Sequence, residues 1–203
     1  MLIIGLTGSI GMGKSTTANM LRTAGVPVHD ADATVHRLYA GRAAPLIEAA
    51  FGGTTRDGVV DREALARAVL GQPEALKRLE AIVHPLVQEE EQAFLNAARK
   101  AGHRAVVLDI PLLFEVKGEA RVDMILLVTA PFAVQKARVM ARAGMTEEKF
   151  AAIVARQMPD AEKRRRAHAM IDTSRGMQAA AADVATLLRA VAGMPGGRRQ
   201  DHE

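Results

Sequence analysis

The stretch Leu2-Ile3-Ile4-Gly5-Leu6-Thr7-Gly8-Ser9-Ile10-Gly11-Met12-Gly13-Lys14-Ser15-Thr16 decides the fold. A short apolar run, Leu2 to Thr7, leads into a glycine-rich loop, and a helical pattern opens at Lys14. From Gly8 to Ser15 the loop reads G-x-x-x-x-G-K-[ST]. At this chain's residue frequencies the four fixed positions match by accident in roughly one such sequence in 300, before the strand-loop-helix context is required. Gly8, Gly11 and Gly13 let the backbone wrap closely with its amides inward, forming an anion nest. The following helix adds the partial positive charge of its N-terminus. Lys14 is a mobile point charge for β- and γ-phosphates, the Ser15 hydroxyl is a Mg²⁺ ligand, and Thr16 stands next in line for the α-phosphate. The candidate nucleotide-binding residues are therefore Gly8, Ile10, Gly11, Met12, Gly13, Lys14, Ser15 and Thr16. A plain turn needs one or two glycines and has no use for the Lys-Ser pair.

Working outward, further short apolar runs read as buried parallel strands at Val26 to His29, Ala105 to Asp109 and Met124 to Val128, with a weaker one at Ala169 to Ile171. Helical patterns lie between them: Lys14 to Thr23, Asp61 to Leu70, Pro73 to Ala81, Pro85 to Ala101, Pro131 to Ala143, Thr146 to Gln157 and Gly176 to Val191. This alternation predicts an α/β domain with a doubly wound, five-stranded parallel sheet. Some 75 residues separate the second and third strands, far beyond an ordinary crossover. The gap carries helical pattern and the turn signals Phe51-Gly52-Gly53 and Arg56-Asp57-Gly58, and reads as a helical insertion. Residues 196–203 are Gly-, Arg- and polar-rich and read as a frayed tail.

The second strand runs into His29-Asp30-Ala31-Asp32. Carboxyl ends of neighbouring parallel strands face one crevice, which puts both carboxylates beside the phosphate loop in this reading. Asp32 is the candidate base that accepts a proton from an acceptor hydroxyl. Either Asp also suits the N-cap of a helix starting near Ala33, and Asp30 suits it better. The third strand ends Val106-Val107-Leu108-Asp109, which makes Asp109 a candidate for holding Mg²⁺ through water. Arg138 and Arg142 share one helix face and suit a transferring phosphoryl group; solvated arginines are the alternative. His84, ahead of Pro85, is either structural or part of an acceptor site.

Composition narrows the classes. With 203 residues, 49% hydrophobic and 25% charged, the chain has ordinary globular composition. Zero cysteines exclude disulfides, thiolate-zinc sites and cysteine nucleophiles. With 3% aromatics and no Trp, a base-stacking platform is not expected. No apolar run approaches membrane-spanning length, and the N-terminus has no basic leader, so a cytoplasmic enzyme is expected. The net charge of +4 has one dense run, Lys163-Arg164-Arg165-Arg166, and the pair Arg198-Arg199. That is less clustering than a nucleic-acid face calls for; solvated surface and phosphate-ligand contacts are the other readings.

Taken together, the chain resembles the dephospho-coenzyme A kinase family over residues 2 to 190. The resemblance rests on the phosphate loop, Val28-His29-Asp30-Ala31-Asp32, Asp61-Arg62-Glu63-Ala64-Leu65, Leu79 to Pro85 with its His84-Pro85 pair, Asp109-Ile110-Pro111-Leu112-Leu113-Phe114-Glu115, Gln135 to Arg142 and Arg156-Gln157. It implies a P-loop NTPase-type core (1–32, 101–137 and 166–195), a helical acceptor insertion (33–100) and a helical lid (138–165). It also implies transfer of the ATP γ-phosphate to the ribose 3′-hydroxyl of dephospho-CoA with Mg²⁺, the final step of coenzyme A synthesis. By position, Asp32, Lys14, Arg138 and Arg142 are then catalytic. Asp32, Arg62, His84, Pro111, Leu112, Leu113 and Glu115 lie at the acceptor, and Ser15 and Asp109 at the metal. A monomer or weak homo-oligomer without nucleic-acid or membrane partner completes the expectation. The sequence departs from the family pattern at Ser9, at Ala167-His168 and at Ile171-Asp172-Thr173. The alternatives are a nucleoside, nucleotide or shikimate-type kinase, a nucleotide switch (no Asn-Lys-x-Asp motif occurs) and a nucleic-acid-binding protein.

Overall fold

The computed structural model describes residues 1–194; the predicted tail at 196–203 lies outside the described residues. The chain forms two compact units, one of Met1–His29 with the chain from Ala98 onward, the other of Asp30–Ala97.

In the first unit the strands are β1 (Leu2–Thr7), β2 (Val28–Asp30, which ends at the unit boundary), β5 (Ala105–Asp109), β6 (Met124–Thr129) and β7 (Ala169–Asp172). They lie in the order β2-β5-β1-β6-β7, and β1 is parallel to both β5 and β6. This is the five-stranded α/β sheet that the alternation predicts. Leu2, Ile4 and Leu6 point to one face and pack with Ala18 and Leu21 of α1 (Lys14–Thr23) and Val184 and Val191 of α9 (Met177–Val191). Each buried Leu, Ile or Val among them stabilises the unit by about 1.5–3 kcal/mol. On the other face Gly5 leaves room for the segment after β5: a Cβ there would meet Val122 at 3.0 Å and Leu113 at 3.2 Å. At its far end α1 stops in a Schellman turn. Gly25 has φ +83°, Gly25 N–H donates to Arg22 and Val26 N–H donates to Leu21.

Three helices follow β6: α6 (Phe132–Met140), α7 (Glu147–Ala155) and α8 (Asp160–Arg166). The Lys163–Arg166 run, read as solvated surface or nucleotide cover, is the last turn of α8. Lys163 is fully buried with Nζ 2.9 Å from Glu115, Arg164 contacts Asp160 and Thr129, and Arg166 pairs with Glu119.

The second unit holds α2 (Ala31–Tyr39), α3 (Ala43–Ala50), the hairpin strands β3 (Thr55–Arg56) and β4 (Val59–Val60), α4 (Arg62–Val69) and most of α5 (Pro73–Lys100). Its core joins Leu38, Ile47, Phe51, Val60, Leu65, Leu79 and Val83. The hairpin turns at Asp57 and Gly58, both at positive φ (50° and 77°), as a type I′ connection requires. In the sequence Arg56-Asp57-Gly58 signals a turn but not the strands on either side of it. Helix α5 is continuous with Pro85 inside, where the sequence pattern predicts two helices, Pro73 to Ala81 and Pro85 to Ala101. Pro85 is exposed, whereas Leu79 and Val83 before it and Leu86 and Val87 after it all pack on the same core. Burial on both sides of the proline outweighs its local cost of about 3 kcal/mol.

Candidate active site

Helix α1 has an unusual beginning. Its N-cap is Gly13 (φ 91°, ψ 17°), with no side-chain cap and no acidic residue in the first turn. Most helices satisfy their first N–H groups with a Ser, Thr, Asp or Asn side chain. Here the opening turn and the dipole's positive end stay available to an anion. The glycines are dictated by space as much as by dihedral angle. A Cβ on Gly8 would lie 2.6 Å from the Val128 carbonyl oxygen, and one on Gly11, at φ +76°, would lie 2.5 Å from Val139 Cγ2.

The loop is pinned from outside. Gln135 Nε2 donates to the Ile10 carbonyl at 2.8 Å, and the Ile10 amide donates to Gln157 Oε1 at 3.2 Å. The Met12 side chain is buried and its sulfur accepts from Ala130 N–H at 3.1 Å. Ile10 and Met12 thus hold the loop in place while Lys14, Ser15 and Thr16 carry its polar groups.

Lys14 Nζ lies 2.5 Å from Asp109 Oδ1, with the two side chains 16% and 4% exposed. Lys14, the first residue of α1, and Asp109, the last of β5, are therefore in contact. Their adjacency follows from sheet order, since β1 pairs with β5 in register Leu6 to Asp109. On the far side of the loop, Arg138 donates to Thr173 Oγ1 at 2.7 Å and to the Thr173 carbonyl at 2.8 Å. A cavity of about 310 Å³ is lined by Gly11, Gly13, Thr16, Arg138, Arg142, Thr173, Gly176, Met177 and Ala180. It joins the phosphate loop to the two candidate arginines.

The segment after β5 divides. Thr7 Oγ1 donates to the Pro111 carbonyl at 3.1 Å, and Leu112 is exposed. Leu113 is fully buried, its Cδ2 3.2 Å from where a Cβ on Gly5 would stand. Its side chain belongs to the core. Glu115 is also committed internally: Oε1 accepts from Met158 N–H at 2.8 Å and faces Lys163. Burial pushes its carboxyl up, but Lys163 and the Met158 amide outweigh that, and the net direction is below the ordinary glutamate value. Its Oε2 has no hydrogen-bond partner.

In the second unit Asp30 caps α2, accepting from Ala33 N–H at 2.9 Å, which leaves Asp32 exposed in the first turn. The Arg62 guanidinium sits 5.7 Å from the centroid of the Tyr39 ring, whose phenol is pushed up by burial and drawn partly back by that charge. His84 is exposed on α5. Of the two departures near β7, His168 lies at the amino end of the strand. It accepts from Ile125 N–H at 3.1 Å, away from the carboxyl edge that carries Thr173. Gln135 and Gln157 fall in stretches that carry the family resemblance and Thr173 in one that departs from it, but none has a role at the loop in the sequence alone, because their loop partners lie 125 to 161 residues away.

The family model for dephospho-CoA kinase matches residues 2–179. A dephospho-CoA kinase from Mesorhizobium japonicum is 60% identical over 196 residues, 97% of this chain and all of that protein. Among solved structures, the Thermus thermophilus protein TT1252 superposes with a TM-score of 0.79 at 40% identity, covering 97% of this chain and 98% of its own. Dephospho-CoA kinase from Campylobacter jejuni superposes at TM-score 0.66 and 21% identity, covering 93% and 96%, which speaks to the fold alone. With its phosphate loop, uncapped helix and sheet order in place, and with a match over most of its length, the chain belongs to the dephospho-CoA kinase family.

Proposed function

We propose that Lys14, Asp32, Arg138 and Arg142 together carry the γ-phosphoryl group of ATP to the ribose 3′-hydroxyl of dephospho-CoA, giving coenzyme A and ADP. The observation that carries the reading is the uncapped amino end of α1 behind Gly13, an anion site with Lys14 at its mouth. Family membership supplies the acceptor.

In this reading Lys14 exchanges part of its contact with Asp109 for β- and γ-phosphate oxygens. The 3′-oxygen attacks the γ-phosphorus, the bond from phosphorus to the bridging oxygen breaks with its electrons leaving on ADP, and the hydroxyl proton passes to Asp32. Asp32 is suited to this because Asp30 already satisfies the α2 N-cap. Arg138 and Arg142 supply fixed positive charge to the transferring group. Ser15 and Asp109 fit Mg²⁺: one hydroxyl and one buried carboxylate match an ion that keeps several waters and phosphate oxygens. When bound, the ion neutralises charge on the β- and γ-phosphates.

Arg62, His84, Pro111 and Leu112 form the proposed acceptor contacts, with Glu115 and Leu113 supporting that segment from beneath. We take residues 33–100 as the acceptor insertion and 138–165 as the lid. A cytoplasmic monomer or weak homo-oligomer without nucleic-acid partner fits a chain in whose basic run Lys163, Arg164 and Arg166 make internal pairs. No helix among the described residues is long and apolar enough to cross a membrane. The test is coupled ADP release across dephospho-CoA, nucleosides, nucleoside monophosphates and shikimate. Turnover with dephospho-CoA at least about 100-fold above the others is expected; equal or better turnover with another acceptor overturns the assignment.

A further inference from the structure

We propose that Thr173 is a positioning residue for phosphoryl transfer, its hydroxyl joining the phosphate loop to Arg138. The inference rests on the reading that the loop holds ATP and that Arg138 serves the transferring group. Thr173 is buried, 8% exposed, in the short turn after β7. Its hydroxyl has one proton, donated to the Met12 carbonyl at 2.8 Å, and accepts from Arg138 Nη1 at 2.7 Å. Its carbonyl accepts from Arg138 Nη2 at 2.8 Å. One residue thus engages both terminal nitrogens of the guanidinium and, through the hydroxyl, a loop carbonyl one position before Gly13. The backbone beneath it is fixed: Asp172 Oδ1 accepts from Ser174 N–H at 2.8 Å.

The fit against the loop is close. A Cβ on Gly13 would lie 3.1 Å from both Thr173 Cγ2 and Thr173 Oγ1. The methyl therefore packs on the loop while the hydroxyl orients Arg138, and the two contributions are separable by substitution. Valine keeps the methyl and the shape but removes the hydroxyl. Serine keeps the hydroxyl and removes the methyl. The consequence is chemical, because phosphoryl transfer depends on charge being aimed before the reaction starts. A guanidinium that loses a fixed acceptor samples other rotamers, and the loop carbonyl of Met12 loses its buried donor.

Steady-state kinetics of Thr173→Val, Thr173→Ser, Arg138→Ala and Thr173→Val/Arg138→Ala test the proposal, with Lys14→Ala alongside. Thr173→Val is expected to lower kcat/KM for ATP about 10-fold or more, with KM for dephospho-CoA within about 2-fold of the parent. Thr173→Ser is expected to stay within about 3-fold of the parent. In the Arg138→Ala background the valine substitution is expected to matter by no more than about 3-fold. The proposal is overturned if Thr173→Val stays within about 2-fold of the parent, if serine rescues nothing, or if the same factor is lost with and without Arg138. Should Thr173→Val melt below the assay temperature, Thr173→Ser decides: a loss of about 10-fold with a parent-like melt overturns the proposal. Retained activity in Lys14→Ala would overturn the phosphate-loop reading itself. An inactive Lys14→Ala beside a parent-like Thr173→Val overturns the role of Thr173 alone.

Discussion

Removing Lys14 tests two roles at once. The sequence predicts one of them, a mobile charge for β- and γ-phosphates. In the structure its ammonium contacts a carboxylate that is 4% exposed, at 2.5 Å. Taking one partner from a buried pair leaves the other charge desolvated and costs about 3–5 kcal/mol; Lys14 at 16% exposure argues for the lower end, about 3 kcal/mol. For a chain of this length each kcal/mol lowers the melting temperature by roughly 2–4 °C, so a drop on the order of 9 °C is expected. Adding Asp109→Asn removes the stranded charge while keeping its shape. Lys14→Ala/Asp109→Asn should therefore melt above Lys14→Ala, recovering about half of the loss. Both variants should be inactive, since neither keeps the Lys14 ammonium for the β- and γ-phosphates. The assay is thermal unfolding by circular dichroism, with ADP release on the same preparations. Refutation would be a Lys14→Ala melt equal to the parent's, or a double variant that melts lower than Lys14→Ala.

Three further outcomes are expected. Asp32→Asn should bind ATP with parent affinity by calorimetry while turnover falls about 100-fold or more; unchanged turnover removes Asp32 as the base. The folded carboxyl of Glu115 lies below its ordinary value of 4.5, so its contribution to stability is present above that pH and is lost as pH falls through the folded value. The melting temperature of the parent should therefore drop on acidification below about pH 4.5 more steeply than that of Glu115→Gln, and parallel curves would contradict the pairing with Lys163. Pro85→Ala, at an exposed position inside α5, should raise the melting temperature, since alanine is better by up to about 3 kcal/mol in a helix interior; an unchanged or lower melt would show that the helix breaks there.

What could be read from sequence was local. Leu2 to Thr7 and Gly8 to Ser15 combine a buried-strand pattern with a loop whose residue types have few other uses, and β1 and α1 form at those residues. The Asp-Gly pair at 57 and 58 did signal a turn, but strands of two residues are too short to leave an alternating pattern. At Pro85 the local rule gave way to tertiary burial, which no helix-stop signal encodes. Lys163 shows the same limit from the other side. Within a run of four cations it looks solvated, yet it is buried because Glu115 meets it from a segment 48 positions earlier. Leu113, two positions after Pro111, reads equally well as lining or as core until Gly5 is seen beneath its side chain. The contacts that brace the loop, from Gln135, Gln157 and Thr173, arise from the order of the strands.

The most direct measurement is a crystal structure with a non-hydrolysable ATP analogue and Mg²⁺. Density for the triphosphate should wrap against the Gly8 to Ser15 backbone, with Lys14 turned from Asp109 toward the phosphates. Triphosphate bound anywhere else, with Lys14 still on Asp109 and the amino end of α1 empty, would contradict the account.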